Sequence, residues 1–494
     1  MYRIGFSHEK YIALQSEKIA QRIGQFGNKL YLEFGGKLFD DFHASRVLPG
    51  FAPNSKVQML SKLSGIAEIV LVVKASDIEK NKVTGDYGIT YDEEILRQTD
   101  AFRSEGFLVN SVVISQFAGQ DAAVRFKRKL ELLGVTVYLH YPIADYPTNI
   151  PLITGENGFG QNDFIETERP LIVVAGPGAS SGKMAACLSQ LYHEFKRGVS
   201  AGYAKFETFP VWDLAPRHPI NLAYEAATTN VGDINLIDPF HLEAYGVTAT
   251  SYNRDVEGFL VLDAIFKQIW GVSPYKSPTD MGVNLISECI CDEDVCIEAA
   301  RQEIIRRYYN ALCADRNDGG LRQEIQKLEL LMNATGAEAS QRAVTLAALN
   351  KAEQSGTDCV ALELPCGTTI TGKTTPLLGA SAAALLNALK YLANIGDDVK
   401  LISPIMIEPI QRLKLHFLGN VNPRLHTDEV LIALSICTAT NPTAEKVLEQ
   451  LPLLKNSEAH STVILSQVDF NVFKRLGVNI TCEPVFHNDR LFRK

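Results

Sequence analysis

Short apolar runs alternate regularly with amphipathic stretches in this sequence, and this pattern restricts the fold more than any other. It extends from Lys29 to Leu139 and starts again at Pro170. Such alternation is typical of βα units, which build a parallel sheet covered by crossover helices. The pattern predicts strands at Leu30–Phe34, Ala67–Val73, Asn110–Ile114, Val135–Leu139 and in the run LIVVAG after Pro170. We therefore expect an α/β fold with a Rossmann-like N-terminal domain.

The chain is too long for one hydrophobic core. It has 494 residues, whereas single domains seldom exceed roughly 250 to 300 residues. Residues 146–160 contain two prolines, three glycines and little periodicity, which is typical of a connection. We expect three domains: a Rossmann-like α/β domain at 1–150, a P-loop-like α/β domain with a helical extension at 165–335, and a C-terminal α/β domain at 340–494.

The later part of the chain is predicted to be mostly helical before strands return. The expected helices are Glu293–Cys313, Leu321–Asn333, Leu377–Ala393, Asp428–Cys437 and Val468–Leu476. The expected strands are Cys359–Leu364, Thr462–Leu465 and Val478–Cys482.

Composition excludes several classes of partner and compartment. The formal net charge is -9 and no basic cluster occurs, which argues against nucleic acid as a partner. Nine scattered cysteines do not form a disulfide framework, and the N-terminal segment lacks the apolar core of a signal peptide. The most apolar stretch, Leu377–Ile395, is interrupted by Asn387 and Lys390. We expect a cytoplasmic protein without membrane contact.

The strongest chemical motif is the strand LIVVA followed by the loop GPGASSGK and an amphipathic helix. Glycines let main-chain N–H groups point at an anion, and a helix N-terminus favours negative charge. The loop resembles a Walker A motif, although Pro177 takes the first glycine position and Met184 replaces the residue that would hold magnesium. The alternative is a tight turn that binds nothing. The candidate phosphate-binding residues are Gly176, Gly178, Ser180, Ser181, Gly182 and Lys183.

Two further glycine-rich stretches compete with this loop. Gly367–Thr374 fits the Walker A pattern in every position, but its β-branched residues favour the return strand of a hairpin that turns at Cys366-Gly367, so we interpret it as a false match. Gly35, Gly36 and Lys37 follow the first predicted strand and are as compatible with a simple turn as with a ligand site.

Titratable side chains concentrate between Lys205 and Glu243, and a second polar loop spans Ser273–Asn284. Lys205, His241 and Asp280 are candidate catalytic residues beside Lys183, although surface or capping roles explain such residues equally well. No zinc-binding spacing occurs: the HExxH pattern is absent, and Cys289, Cys291 and Cys296 are poorly spaced. We predict no metal-ligand motif.

Several long runs, among them PGASSGKMAACLSQLYHEFKRG, HPINLAYEAAT, IDPFHLEAYG and YKSPTDMGVN, resemble the bacterial family known as domain of unknown function 1846 (protein family 0371). The resemblance spans almost the whole chain. It implies a fold rather than an activity, because the family carries no established activity. It also implies a glycine-rich loop with a lysine at Gly176–Lys183, where Ala179-Ser180-Ser181 departs from the Pro-Gly-Ser type.

Three functions stay open from the sequence. The leading hypothesis is an enzyme that binds ATP, another nucleotide or a phosphorylated metabolite at Gly176–Lys183, with Mg as a companion, for phosphoryl or nucleotidyl transfer. The first alternative is a Rossmann-type enzyme that uses NAD(P) or a sugar nucleotide at Gly35 and Gly36. The second is a non-catalytic ligand sensor or assembly protein. A homo-oligomer is expected because the small-residue helix Gly379–Ala393 suits close packing, in a core or between subunits.

Overall fold

The computed structural model describes residues 3–84 and 88–487. The chain divides into two compact units: an N-terminal unit, Ile4–Ala300, and a C-terminal unit that starts at Arg301. Each unit has its own hydrophobic core.

The strands of the N-terminal unit are β1 (Leu30–Phe34), β2 (Ala67–Lys74), β3 (Leu108–Ser115), β4 (Thr136–Leu139), β5 (Leu171–Ala175), β6 (Gly202–Phe206), β7 (Asn235–Ile237) and β8 (Thr250–Tyr252). Its helices are α1 (His8–Gln25), α2 (Phe42–Val47), α3 (Ser55–Ser61), α4 (Ala75–Glu79), α5 (Tyr91–Ser104), α6 (Asp121–Leu132), α7 (Ile150–Ile153), α8 (Lys183–Lys196), α9 (Pro219–Ala227), α10 (Pro239–Tyr245), α11 (Asn253–Trp270) and α12 (Pro278–Met281). Helix α13 (Glu293–Asp318) contains the point of division.

Six of these strands form one parallel sheet in the order β4-β3-β2-β5-β1-β6. All residues of β1 and β5 are buried, as expected for parallel strands covered on both faces. The α/β prediction is confirmed, and every strand predicted before residue 180 is present. Strand β6 was not predicted, because its Gly-Tyr-Ala-Lys-Phe sequence includes a glycine and a lysine.

The sheet does not divide at residues 146–160, where the sequence indicated a domain boundary. Strand β5 follows this connection and pairs with both β1 and β2, which precede it. The strands assigned to the first and second expected domains therefore belong to one sheet. The connection contains turn residues because it carries the chain back from the edge strand β4 to the centre of that sheet.

The C-terminal unit contains the strands β9 (Cys359–Glu363), β10 (Thr369–Lys373), β11 (Glu458–Ser461) and β12 (Asn479–Cys482), in the sheet order β10-β9-β11-β12. Its further helices are α14 (Arg322–Thr335), α15 (Ala343–Ser355), α16 (Ala380–Leu392), α17 (Pro404–Arg412), α18 (Thr427–Cys437), α19 (Pro442–Leu448) and α20 (Gln467–Arg475).

Two predictions for this unit have different outcomes. Strands β9 and β10 form an antiparallel hairpin, so the interpretation of Gly367–Thr374 as a false Walker A match is confirmed. The glycine of this match is explained by packing, since a Cβ at Gly372 would lie 2.1 Å from the main-chain nitrogen of Ala384 in α16. The predicted strand Thr462–Leu465 is wrong: β11 lies just before it, because Glu458–Ser461 pairs with both β9 and β12.

Candidate functional site at the carboxyl edge of the parallel sheet

The loop between β5 and α8 lies where the connections of the parallel sheet diverge. After β2 the chain continues to β3 on one side, whereas after β5 it continues to β6 on the other side. In open α/β sheets, ligands bind outside the carboxyl ends of the strands at such a switch point. The position of the loop thus makes it the first candidate for a ligand site.

The three glycines of this loop are accounted for by close packing. A Cβ at Gly176 would lie 2.4 Å from the carbonyl oxygen of Val72 in β2. A Cβ at Gly178 would lie 2.3 Å from the Tyr91 hydroxyl. Gly182 has φ +99, and a Cβ there would meet Ser115. The glycines alone therefore do not argue for a ligand, because a turn without one would need them equally.

The side chains of the loop differ in accessibility. Ser180 is exposed and adopts a positive φ of 59, whereas Ser181 is fully buried. The carbonyl of Ser181 accepts a hydrogen bond of 2.7 Å from the Ser115 hydroxyl, which ties the loop to the end of β3. The start of α8 is fixed by this bond, and the exposed hydroxyl of Ser180 lies two residues from its N-cap, Gly182.

Lys183 is the residue of this loop with the most distinctive environment. Its half-buried ammonium donates to the carbonyl of Gly178 at 3.1 Å and to the hydroxyl of Ser181 at 3.4 Å. Burial lowers the pKa of Lys183, while the charges of Glu33 and Glu207 act in the opposite direction. A partly desolvated ammonium with uncharged hydrogen-bond partners at the start of a helix can gain a charge-assisted bond from an anion.

The glycine pair after β1 has a structural explanation. The N–H of Gly35 donates to the carbonyl of Phe206 at 2.7 Å, so this group is occupied. A Cβ at Gly35 would lie 2.5 Å from Cγ of Glu207, so the glycine allows this side chain to approach β1. Gly36 has a φ of +69, and Lys37 is exposed. These contacts favour the interpretation of this stretch as a turn.

A compact charged cluster lies at the end of β6. The buried ammonium of Lys205 donates to both carboxylate oxygens of Asp255, at 2.8 and 2.6 Å, and lies 3.2 Å from Glu207. It also donates to the hydroxyl of Tyr252, which in turn donates to Glu207 at 2.7 Å. Two carboxylates and one phenol thus surround a single lysine.

The electrostatics of this cluster assign different roles to its members. Burial opposes the charge of Lys205, yet Asp255 and Glu207 raise its pKa above the ordinary value, so the ammonium stays charged. Burial raises the pKa of Glu207 to about 7 in spite of Lys205, and Asp255 adds to the rise. Lys205 can therefore stabilise negative charge, whereas Glu207 can exchange a proton near neutral pH.

A cavity of about 240 Å³ opens beside this cluster and brings three of the predicted residues together: Lys205, His241 and Asp280 all line it. Nδ1 of His241 lies 3.0 Å from the Ser277 hydroxyl and 3.7 Å from the Asp280 carboxylate. The predicted residues Lys183, Gly176 and Gly35 do not contribute to the lining. The charges of Glu207 and Lys205 nevertheless influence Lys183, so the loop and the cavity are neighbours along one edge.

Sequence reasoning included Glu207 in the titratable 205–243 segment without giving it a specific role. It missed five other residues of the site: Lys18, Arg22, Glu33, Tyr252 and Asp255. Glu33 was detectable, since it is a carboxylate inside the apolar strand β1, where the hydroxyl of Tyr203 donates to it at 2.6 Å. Lys18 and Arg22 were detectable as a cationic pair one helical turn apart. Asp255 gave no indication in the sequence, because only the fold brings α11 to the end of β6.

Other polar residues of the 205–243 segment have structural roles. His218 caps α9 and lies 2.9 Å from Glu293, and Asp238 caps α10. In the ranges 3–84 and 88–487, no group of three or more His, Cys, Asp or Glu side chains is arranged to hold a metal ion. The same ranges contain no helix long and apolar enough to cross a membrane.

Comparison with known proteins identifies relatives over the full length. The family described as "Domain of unknown function DUF1846, N-terminal" matches residues 4–336, and its C-terminal counterpart matches residues 340–492. A UPF0371 protein from Corynebacterium urealyticum is 54% identical over 492 residues, which cover 99% of each chain. UPF0371 proteins from Streptococcus pneumoniae and Streptococcus uberis are each 51% identical over 494 residues, 100% of both chains. The chain belongs to the DUF1846 family.

Proposed function

We propose that this protein binds a nucleotide or another phosphate-bearing metabolite at the loop Gly176–Lys183. The observation that carries the proposal is the environment of Lys183, whose half-buried ammonium has a carbonyl and a hydroxyl as its hydrogen-bond partners at the N-terminus of a 14-residue helix. A phosphate oxygen would supply the charged partner, and the helix dipole would favour it.

The neighbouring carboxylates reduce the attraction for an anion but do not cancel it. Glu33 accepts from Tyr203, and Glu207 accepts from Tyr252 and lies within ion-pair distance of Lys205. Their charge is thus partly compensated by groups other than Lys183. The net balance favours an anion that reaches the loop from the exposed side of Ser180.

The chemistry that we propose is phosphoryl or nucleotidyl transfer. Lys183 would stabilise charge on the phosphate, and the ammonium of Lys205 would stabilise charge on the acceptor side. Glu207 rather than Lys205 would accept a proton, because the pKa of Glu207 is raised by burial and that of Lys205 lies above its ordinary value. His241 and Asp280 would orient the second reactant across the cavity.

The test compares Lys183→Ala with Lys196→Ala, which removes an exposed lysine at the other end of the same helix. Thermal unfolding is recorded with ATP, NAD, a sugar nucleotide and inorganic phosphate. We expect at least one of these to raise Tm of the wild type and of Lys196→Ala, and the rise to be lost in Lys183→Ala. The proposal fails if Lys183→Ala keeps the full ligand-induced rise.

The same panel separates the alternatives. If NAD alone raises Tm, and if Lys183→Ala keeps this rise, the ligand site would lie at the turn of Gly35 and Gly36. The N–H of Gly35 argues against this outcome, because it already donates to the carbonyl of Phe206. Tight binding without turnover of any phosphate donor would assign a sensing or assembly role instead of catalysis.

A further inference from the structure

The cavity beside Lys205 has one wall that the loop Gly176–Lys183 does not explain. Helix α1 presents Gln15, Lys18 and Arg22 at intervals of three and four residues, which places them on one face. The Gln15 side-chain amide donates a hydrogen bond to the carbonyl of Val283 and accepts one from the N–H of Leu285. This face of α1 therefore packs on the segment that follows α12. Lys18 and Arg22 line the cavity as a result.

The two cations on this wall are Lys18 and Arg22. Arg22 donates to the carbonyls of Asp280 and Gly282, at 2.8 and 3.0 Å, which fixes the guanidinium without neutralising it. In the part of the chain that the structure describes, neither Lys18 nor Arg22 lies within 4.0 Å of a carboxylate oxygen in an ion pair. The wall therefore presents two cations without an ion-paired carboxylate, although the charge of Asp280 acts on Arg22.

The other charged groups of the cavity are carboxylates, apart from Lys205, which is paired with carboxylates. Lys205 lies 2.6 Å from Asp255 and 3.2 Å from Glu207, so the charge of Glu207 is partly compensated. The carboxylates of Glu207 and Asp280 line the same cavity. Trp212 and Leu285 supply apolar contact. Positive charge on α1 and carboxylates on the other elements form a polarised cavity, and such a cavity selects a molecule that is itself polarised.

We propose that this cavity binds a small carboxylic acid that carries a hydroxyl or amino group, with the carboxylate held by Lys18 and Arg22 and the hydroxyl or amine facing Glu207. A guanidinium fixed by two carbonyls is preorganised for a carboxylate. The volume of about 240 Å³ is below the roughly 300 to 1,000 Å³ of sites for drug-sized ligands, which restricts the acid to a small one.

A phosphate fits this cavity less well than a carboxylate. A dianion would face Glu207 and Asp280, and their repulsion would offset the attraction of the two cations. The cavity thus differs from the loop at Lys183, where the ammonium donates to a carbonyl and a hydroxyl. The inference goes beyond the proposed function, because Lys18 and Arg22 take no part in that function, while Glu207 and Asp280 line the cavity in both.

Thermal unfolding and calorimetric titration of the full chain test the proposal with glycolate, L-lactate, L-serine and L-aspartate as probes. Glycolamide and lactamide serve as uncharged counterparts. We expect saturable binding of at least one acid and at least tenfold weaker binding of the matching amide. Lys18→Ala should weaken binding of the acid at least tenfold. The variant should fold, since the Lys18 side chain has no hydrogen bond within residues 3–84 and 88–487 and alanine favours helix.

The controls separate this site from the loop. Lys129→Ala removes an exposed lysine of α6 and should bind the acid as the wild type does. Lys183→Ala should retain acid binding whether or not it loses phosphate binding. Glu207→Gln should weaken the binding of hydroxy or amino acids more than the binding of acetate, which has no hydroxyl or amine to face residue 207. The proposal is overturned if none of the four acids binds, if amides bind as well as acids, or if Lys18→Ala binds the acid unchanged.

Discussion

Glu207 shows how a residue acquires its chemistry from neighbours that are distant in sequence. Its carboxylate accepts from Tyr252 and lies 3.2 Å from Lys205, while Gly35 leaves room for its Cγ beside β1. The sequence places Glu207 among many titratable residues of one segment and gives no reason to prefer it. Only the convergence of β1, β6, β8 and α11 distinguishes it, so its role could not be predicted.

Stability should depend on pH through Glu207. Burial raises the pKa of this side chain from its ordinary 4.5 to about 7, so the folded protein binds the proton more tightly than the unfolded chain. The stability that this proton contributes is complete below about pH 4.5 and is lost as the pH rises through about 7. Glu207→Gln removes the dependence, and its Tm relative to the wild type should increase between pH 5 and pH 8.

Differential scanning calorimetry at several pH values checks this expectation. Glu257→Gln, an exposed glutamate of α11, is the matched control and should follow the wild-type curve. A constant difference in Tm between Glu207→Gln and the wild type across this range would contradict the prediction, because it would mean that Glu207 ionises alike in the folded and unfolded chain.

Strands and helices were predictable where the sequence pattern is strong and local. Strand β1 has the predicted bounds, and the amphipathic helix predicted after the glycine loop is present as α8. The pairing of strands was not predictable, since β5 enters the sheet between β1 and β2 and nothing local specifies this order. Strand β11 was missed because its sequence Glu-Ala-His-Ser is polar, although the fold buries His460 against Thr481 and Glu483.

The close contact between β2 and the loop after β5 predicts that a substitution at Gly176 destabilises the protein. A Cβ at Gly176 would lie 2.4 Å from the carbonyl oxygen of Val72, a residue that the pairing of β2 with β3 holds in the sheet. Gly176→Ala should destabilise the protein by roughly 1 to 3 kcal/mol, as overpacking typically does. Gly258→Ala is the matched control: nothing lies within 4 Å of a Cβ there, and removing a helical glycine should stabilise by about 0.5 to 1 kcal/mol.

Urea unfolding of both variants measures the two free energies. Opposite signs are expected, although both substitutions add the same methyl group. A Gly176→Ala protein as stable as the wild type would show that the loop yields easily, and the packing explanation for this glycine would then be wrong.

At the scale of the whole molecule, two hydrophobic cores have separate membership. The core of the N-terminal unit contains Leu188 of α8, and the core of the C-terminal unit contains Leu385 of α16. The sequence predicted a division of the chain from its length but placed one boundary inside the parallel sheet, because a glycine- and proline-rich connection looks the same within a domain as between domains. Core membership depends on packing that the sequence pattern does not specify.

Because the cores are separate, we expect a destabilising substitution in one unit to leave the stability of the other unit unchanged. Leu385 is fully buried, and Leu385→Ala should remove roughly 2 to 5 kcal/mol from the unit that contains it. Hydrogen exchange followed by mass spectrometry should show faster exchange in β9 to β12, while the amides of β1 to β6 keep their protection. Leu188→Ala, which truncates an equally buried leucine, should produce the converse pattern. Equal loss of protection in both sheets would contradict the prediction, because the two cores would then unfold as one cooperative unit.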